Sequence, residues 1–216
     1  MKEEHTRVYG IGKHEDKYIS FEADPEVLLH DYDKYEKYVK GCEHTVRNDD
    51  RYKAYVASVH EAGFNHCAIL GEIDRGGDKV KLEMHHGPIF NLFDICDIVL
   101  KACLKRGMQN ITTFDIGDLV LTEHELGNVM FVMLSKTGHK GAHNNIFIDI
   151  KATGGRLDRF IERWYDGMER NHFEYIERYI EACKKADGNS TDQGLFDVAD
   201  QMKRFKKKKK KEDGAE

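Results

Sequence analysis

Apolar residues recur every three to four positions over long stretches of this 216-residue chain, and only two prolines interrupt it. Such spacing places apolar side chains on one face of a helix, so helices are the main elements that the chain can form. The segments with this pattern are 25–40, 50–62, 92–104, 113–125 and 156–185, with a break near Asn171 in the last. Asn48, Asp49 or Asp50 can cap the second helix, which Gly63 can end.

Short apolar runs predict a few strands among these helices. They are 66–73, 79–86, 129–134 and a shorter one at 146–150, with a turn-like composition at 74–78 and a possible small hairpin within the first 20 residues. Strands mixed with helices in this order favour an α+β fold, with a small antiparallel sheet.

Several protein classes are disfavoured by composition. No apolar run approaches the roughly 20 residues that span a bilayer, and the charged N-terminus does not resemble a signal peptide. The five cysteines are odd in number and include no C-x-x-C pair, which argues against a disulfide framework and a cysteine zinc ribbon. We therefore expect a cytoplasmic protein without membrane association.

Charge is distributed unevenly along the chain. Residues 203–216 hold eight basic and three acidic residues, which gives this segment a net charge of +5. The whole chain has a net charge of −5, so residues 1–202 have a net charge of −10. The basic residues include the unbroken run Lys206, Lys207, Lys208, Lys209, Lys210 and Lys211. This run can attract the phosphates of nucleic acid, most simply DNA, whereas the acidic body is unlike a general DNA-binding surface.

The grouping of the histidines is the pattern that indicates chemistry. His85 and His86 are adjacent at the end of a predicted strand, and His139 and His143 stand four residues apart. Residues at i and i+4 share a helix face, so the second pair can bind one metal ion. Hydrolysis of a phosphodiester needs a base and a cation, and imidazoles can supply the base and the ligands of that cation.

The order His-His, Asn128, His-x-x-x-His resembles the HNH signature of the ββα-metal, or His-Me finger, nucleases. The block 82–145 more closely resembles bacteriophage HNH-like proteins, over about a third of the chain. The shared features are an E-M-H-H strand at 83–86, a helix like 92–99, a segment like 113–116, a histidine like His124 and a stretch like 134–139 followed by His143-Asn144. The resemblance implies a ββα-metal finger with a helical insertion and flanking helices.

The resemblance also implies roles for individual residues. His86 would be the general base, while His85, His139 and His143 would hold a divalent ion such as Mg²⁺, Mn²⁺, Zn²⁺ or Ni²⁺. Asn128 would position the loop of His86, and Glu83, on the strand face of His85, would orient His85 or complete the site. The implied activity is a metal-dependent endonuclease that hydrolyses DNA, encoded by a phage.

The sequence departs from a minimal finger in ways that leave alternatives open. The interval from His86 to Asn128 is long, so His124 can take the middle role instead of Asn128. A second hypothesis keeps the HNH fold but makes the protein an inactive module that binds nucleic acid or a host or phage protein. A third makes the metal purely structural.

These considerations divide the chain into four regions. Residues 1–63 form an N-terminal hairpin and helical region, 64–150 the HNH-like core with its helical insertion, 151–186 the C-terminal helices that pack on this core, and 187–216 a linker with the lysine-rich tail. The aromatic stripe at 160–168 is predicted to belong to the apolar core.

Overall fold

The computed structural model describes residues 29–71, 81–135 and 147–187, which contain six helices and two strands. In chain order the elements are α1 (Tyr32–Asn48), α2 (Asp50–Glu61), β1 (Leu82–His86), α3 (Leu92–Lys105), α4 (Thr113–Glu125), β2 (Phe131–Ser135), α5 (Leu157–Trp164) and α6 (Arg170–Asp187), with 3-10 turns at Ile150–Ala152 and Tyr165–Gly167.

Side-chain caps fix where four of these helices begin. Asp31, Asp49, Asn91 and Thr112 each accept a hydrogen bond from a backbone N–H in the first turn, which satisfies a donor that has no partner within the helix. Asp49 is thus the cap among the three candidates for α2. The first helix was expected at 25–40; Leu29 and His30 are helical, Asp31 interrupts the helix, and α1 then runs from Tyr32 to Asn48.

The two strands pair antiparallel, with His86 opposite Phe131 and Leu82 opposite Ser135. Helices α3 and α4 lie between them in the chain. One face of the pair packs on α2 through Met84, Phe131 and Met133, while the other packs on Cys67 and Ile148. The described residues therefore form a mixed helical fold with a small two-stranded sheet, and the α+β class is confirmed at this level.

Two predicted strands are wrong over the residues that the structure describes. Within 66–73, residues Cys67 and Gly71 form one isolated bridge around a turn, in which the Gly71 N–H donates to the Cys67 carbonyl at 2.7 Å. Within 146–150, Ile150 begins a 3-10 turn capped by Asp149. Both runs are apolar because they cover the sheet, and burial alone does not distinguish a strand from an irregular segment.

The main core surrounds α3, whose buried residues contact apolar side chains of α1, α4, α5 and α6. Gly167 lets the turn after α5 approach closely, since a Cβ there would lie 1.9 Å from the Ile98 carbonyl oxygen. Phe160, Trp164 and Met168 are buried in this core, as predicted for the aromatic stripe. The helical break falls at residues 168–169, slightly before the expected Asn171.

A charged cluster crosses this core, and we call its five residues the Asp97 cluster: Tyr35, Asp97, Lys101, Glu169 and His172. The Tyr35 hydroxyl donates to one oxygen of Asp97, while Lys101 Nζ donates to the other at 2.8 Å and to Glu169 at 2.7 Å. His172 Nε2 lies 3.5 Å from Asp97. The cluster connects α1, α3 and the start of α6.

Burial and charge act in opposite directions on the pKa of Lys101 but in the same direction on the pKa of Tyr35. Burial alone would lower the pKa of Lys101, but its hydrogen bonds to Asp97 and Glu169 outweigh that effect and raise it. Burial, followed by the charge of Asp97, raises the pKa of Tyr35. The lysine is therefore held charged and the phenol is held neutral.

Helices in the described ranges are all too short or too polar to cross a membrane. The predicted N-terminal hairpin lies outside the described residues.

Candidate histidine site and family

The end of β1 presents its two histidines to opposite faces of the sheet, because successive side chains of a strand alternate. His86 shares its face with Met84, on the side of α2. His85 is half-buried on the other face with Glu83, which is exposed. The predicted divergence of the two imidazoles is therefore present, and Glu83 lies on the face predicted for it.

His86 is bound to His124 in the interior. The two Nε2 atoms are 2.9 Å apart, and His124 Nδ1 lies 2.7 Å from the Val120 carbonyl oxygen. A carbonyl only accepts, so His124 carries its proton on Nδ1 and its Nε2 is the acceptor. His86 must then donate through Nε2–H, which leaves its Nδ1 without a proton.

Aromatic rings of α2 enclose this pair. Tyr52 stacks on His86 with ring centroids 6.0 Å apart, and Tyr55 meets the edge of His124 at 5.3 Å. His86 is 3% exposed and His124 is 0% exposed. The general base was expected to face water, but the structure encloses His86 because its strand face is the one covered by α2.

Burial makes both imidazoles hard to protonate. It is the main cause that lowers the pKa of His86 well below its ordinary value, and His124 and Arg47 lower it further. For His124, burial lowers the pKa to about 4, against a smaller opposing effect of the hydrogen bond to Val120. The pair is therefore neutral at pH 7.

Asn128 makes a different contact from the one expected. Its amide nitrogen donates to Glu123 Oε2 at 2.7 Å rather than to the residues around His86. Glu123 is fully buried, and Arg163 Nε lies 2.9 Å from its other oxygen without the alignment of a hydrogen bond. Of the two candidates for the middle role, His124 is thus the one that touches His86.

The remaining predicted site residues lie outside the described ranges: His139, His143 and Lys206–Lys211. Among described residues, no group of three His, Cys, Asp or Glu side chains could hold a metal ion. The metal site of three histidines therefore stays a prediction.

Sequence reasoning missed the tyrosines around the histidine pair and the buried carboxylate of Glu123. The residues of α2 were recognised only as a helix face, and the signal available for Tyr52 and Tyr55 was their i, i+3 spacing. Glu123 gave no signal, because an acid in an amphipathic helix is usually exposed.

A family model, that of the bacteriophage G278-like virion proteins, matches residues 4–211. No curated protein and no solved structure matches the chain. Since the family match covers nearly the whole sequence, this protein belongs to the bacteriophage G278-like virion protein family.

Proposed function

We propose that the protein is a structural component of a phage particle, in which the folded body contacts other proteins and the lysine run contacts nucleic acid. The family match over residues 4–211 is the observation that carries this proposal. It covers the helical core, both strands and the run Lys206–Lys211 together.

The charges of the chain support the same division of roles. The body, residues 1–202, has a net charge of −10, which disfavours contact with a phosphate backbone. The tail, with net +5, has the charge that such a contact needs. A buried, neutral histidine pair suits a structural body better than an open catalytic site.

Two measurements test this proposal. Mass spectrometry of purified particles is expected to detect the protein at a fixed copy number, and its absence from particles would contradict the structural role. Replacing Lys206–Lys211 with glutamine is expected to abolish most DNA binding. The slope of log K against log salt concentration should become shallower by up to about 5, because up to six phosphate contacts are lost. An unchanged slope would exclude the tail as the contact.

A metal-dependent HNH endonuclease is the second candidate, and the arrangement around β1 and β2 favours it. The strands are antiparallel, the two histidines diverge at the end of β1, and His139 and His143 follow β2 within eight residues. A ββα-metal finger needs this order. Of the three ligands, only His85 lies in the described residues, half-buried and beside exposed Glu83. A divalent ion there would stabilise charge on the scissile phosphate.

For this activity His86 has to reach solvent, since a general base must contact the water it deprotonates. Cleavage of plasmid DNA with Mg²⁺, Mn²⁺, Zn²⁺ and Ni²⁺ tests the candidate in wild type, His86→Ala and the control His30→Ala, which alters an exposed histidine. Cleavage lost only in His86→Ala would support the enzyme. No cleavage with any metal, or equal cleavage in all three proteins, would reject His86 as its base.

A further inference from the structure

A surface cleft of about 430 Å³ lies where the turn after α4 meets α5. Its walls combine three arginines with an amide, a carboxylate and one apolar side chain: Arg156, Arg159, Arg163, Asn128, Glu162 and Leu126. It shares only Asn128 with the residues predicted for the histidine site, and we call it the arginine cleft.

Close backbone contacts beside the arginine cleft hold its lining residues in place. The Arg156 N–H donates to the Gly127 carbonyl at 2.8 Å. Gly155 adopts a φ of +89°, and a Cβ there would lie 2.0 Å from the Val129 carbonyl oxygen, so no other residue fits without displacing the chain. Asn128 is held by Glu123. The cleft is thus formed before any partner arrives.

The three arginines lie along one side of α5 and its N-cap, at spacing i, i+3 and i+7. Their side chains are 62%, 57% and 49% exposed, in chain order. Arg159 uses Nη1 for Glu162, and Arg163 places Nε near Glu123. A guanidinium has five N–H donors, so one such pair leaves it able to bind a further anion.

The chemistry around these arginines favours a carboxylate over a nucleic-acid backbone. Asp158, Glu162 and Glu123 each pair with one arginine, but the residues that line the cleft include three arginines and one carboxylate, Glu162. The cleft is therefore a local basic patch on an acidic body. A nucleic-acid duplex would extend its phosphates beyond this patch over acidic surface, whereas a short acidic segment can place its carboxylates on the guanidiniums alone, where they bind bidentately. Leu126, 53% exposed at the same cleft, supplies an apolar contact, and arginine beside apolar area is typical of protein interfaces.

We propose that the arginine cleft binds an acidic segment of a partner protein, with its carboxylates on Arg159 and Arg163 and an apolar side chain on Leu126. This site would give the acidic body a defined protein contact. It does not depend on the lysine run or on nuclease activity, and its test is independent of both.

Fluorescence anisotropy with a labelled decapeptide of alternating glutamate and leucine tests the proposal. The full chain is used with Lys206–Lys211 replaced by glutamine, so that the tail cannot capture the peptide. Arg159→Glu is expected to weaken binding at least tenfold, because it reverses a charge inside the cleft. The matched control is Arg170→Glu on α6, which also alters an exposed arginine paired within its helix, to Glu174; it is expected to bind as the parent does.

A control peptide and a second variant distinguish this proposal from simple charge attraction. A glutamine–leucine peptide is expected not to bind, and Leu126→Ser is expected to weaken the acidic peptide severalfold without altering the fold seen by circular dichroism. The proposal is overturned if the acidic peptide does not bind, if the Arg159→Glu variant binds it with the affinity of the parent, or if Arg170→Glu reduces the affinity as much as Arg159→Glu does. Tighter binding of a short DNA duplex than of the peptide would assign the cleft to nucleic acid instead.

Discussion

The Asp97 cluster keeps charged groups inside the helical core, whereas the pair of His86 and His124 is buried uncharged. In the cluster, Lys101 lies between two carboxylates at 2.7 and 2.8 Å. In the pair, a neutral ring donates to a neutral ring, and the nearby cation Arg47 makes protonation of either ring harder.

The neighbouring elements explain this difference. Helix α3 places Asp97 and Lys101 at i and i+4, so opposite charges meet where both side chains are largely buried, and Glu169, just before α6, adds a half-exposed carboxylate. The histidines meet the tyrosine rings of α2, which offer no countercharge. The stability that the Asp97 cluster contributes therefore depends on every one of its charged partners, whereas the stability that the histidine pair contributes depends on pH.

The largest effect is expected from Asp97→Ala. Removing this carboxylate takes one anion from Lys101 and the acceptor from Tyr35 in a buried site, which we expect to cost about 3–4 kcal/mol of unfolding free energy. Urea unfolding at pH 7.5 measures it, with Asp50→Ala, whose side chain is 95% exposed, as the control. Equal small losses in both variants would show that the cluster contributes no more than a surface ion pair.

Acidification is expected to act through the histidine pair. The folded-state pKa of His124 is about 4, so the unfolded chain, with a histidine pKa near 6.5, takes up the proton first. The stabilisation that depends on the neutral histidine pair is fully present above about pH 6.5 and is lost as pH falls toward 4. By pH 5, His124 alone accounts for a loss of about 2 kcal/mol of unfolding free energy.

Urea unfolding at pH 7.5 and 5 measures this loss. His30→Gln, a change at an exposed histidine, should keep the dependence, and the double variant His86→Phe, His124→Phe should reduce it. Stability that is constant between the two pH values in wild type would contradict the buried neutral pair.

Tyr35→Phe is expected to have an intermediate effect. It removes the hydroxyl that donates to Asp97 while keeping the buried ring, and a hydrogen bond to a charged group contributes about 2 kcal/mol. Thermal unfolding of this variant beside Tyr32→Phe, at a 76% exposed position, measures the difference. If both variants melt alike, the phenol is not part of the charged cluster.

Arg51→Gln is expected to have the smallest effect, because its charges are exposed. Arg51 joins α2 to Asp118 and Glu125 of α4 at the surface, where such pairs contribute about 0.5–1 kcal/mol. The loss should shrink further in 0.5 M salt, as screening weakens exposed pairs. A loss as large as that of Asp97→Ala would remove the contrast between buried and exposed charges.

Periodicity predicted the helices well because their apolar faces are the core. The segment 113–125 was located to the residue, and 92–104 differs by one residue from α3. Strands were less predictable, since β1 pairs with the distant β2 rather than with the run at 66–73. Sequence patterns indicate which residues are buried, whereas the choice of strand partner depends on how α3 and α4 pack.

The candidate site was predictable in its residues more than in its environment. The divergence of His85 and His86 followed from strand alternation. Nothing in the sequence indicated that α2 would cover His86, or that Asn128 would bind Glu123. The first outcome depends on a contact between elements that are far apart in the chain, whereas the second is a contact over five residues at the end of α4 that no helical spacing rule predicts.

The separation of β1 from β2 has a consequence for how the protein folds. The intervening residues, 87–130, number 44 and contain two helices, so the strands cannot nucleate as a local hairpin. We expect the ladder to close only after α3 and α4 have docked, and its amide protons to exchange only when the whole molecule opens. A two-stranded ladder, usually the least stable kind of sheet, would then be among the best-protected parts of this chain.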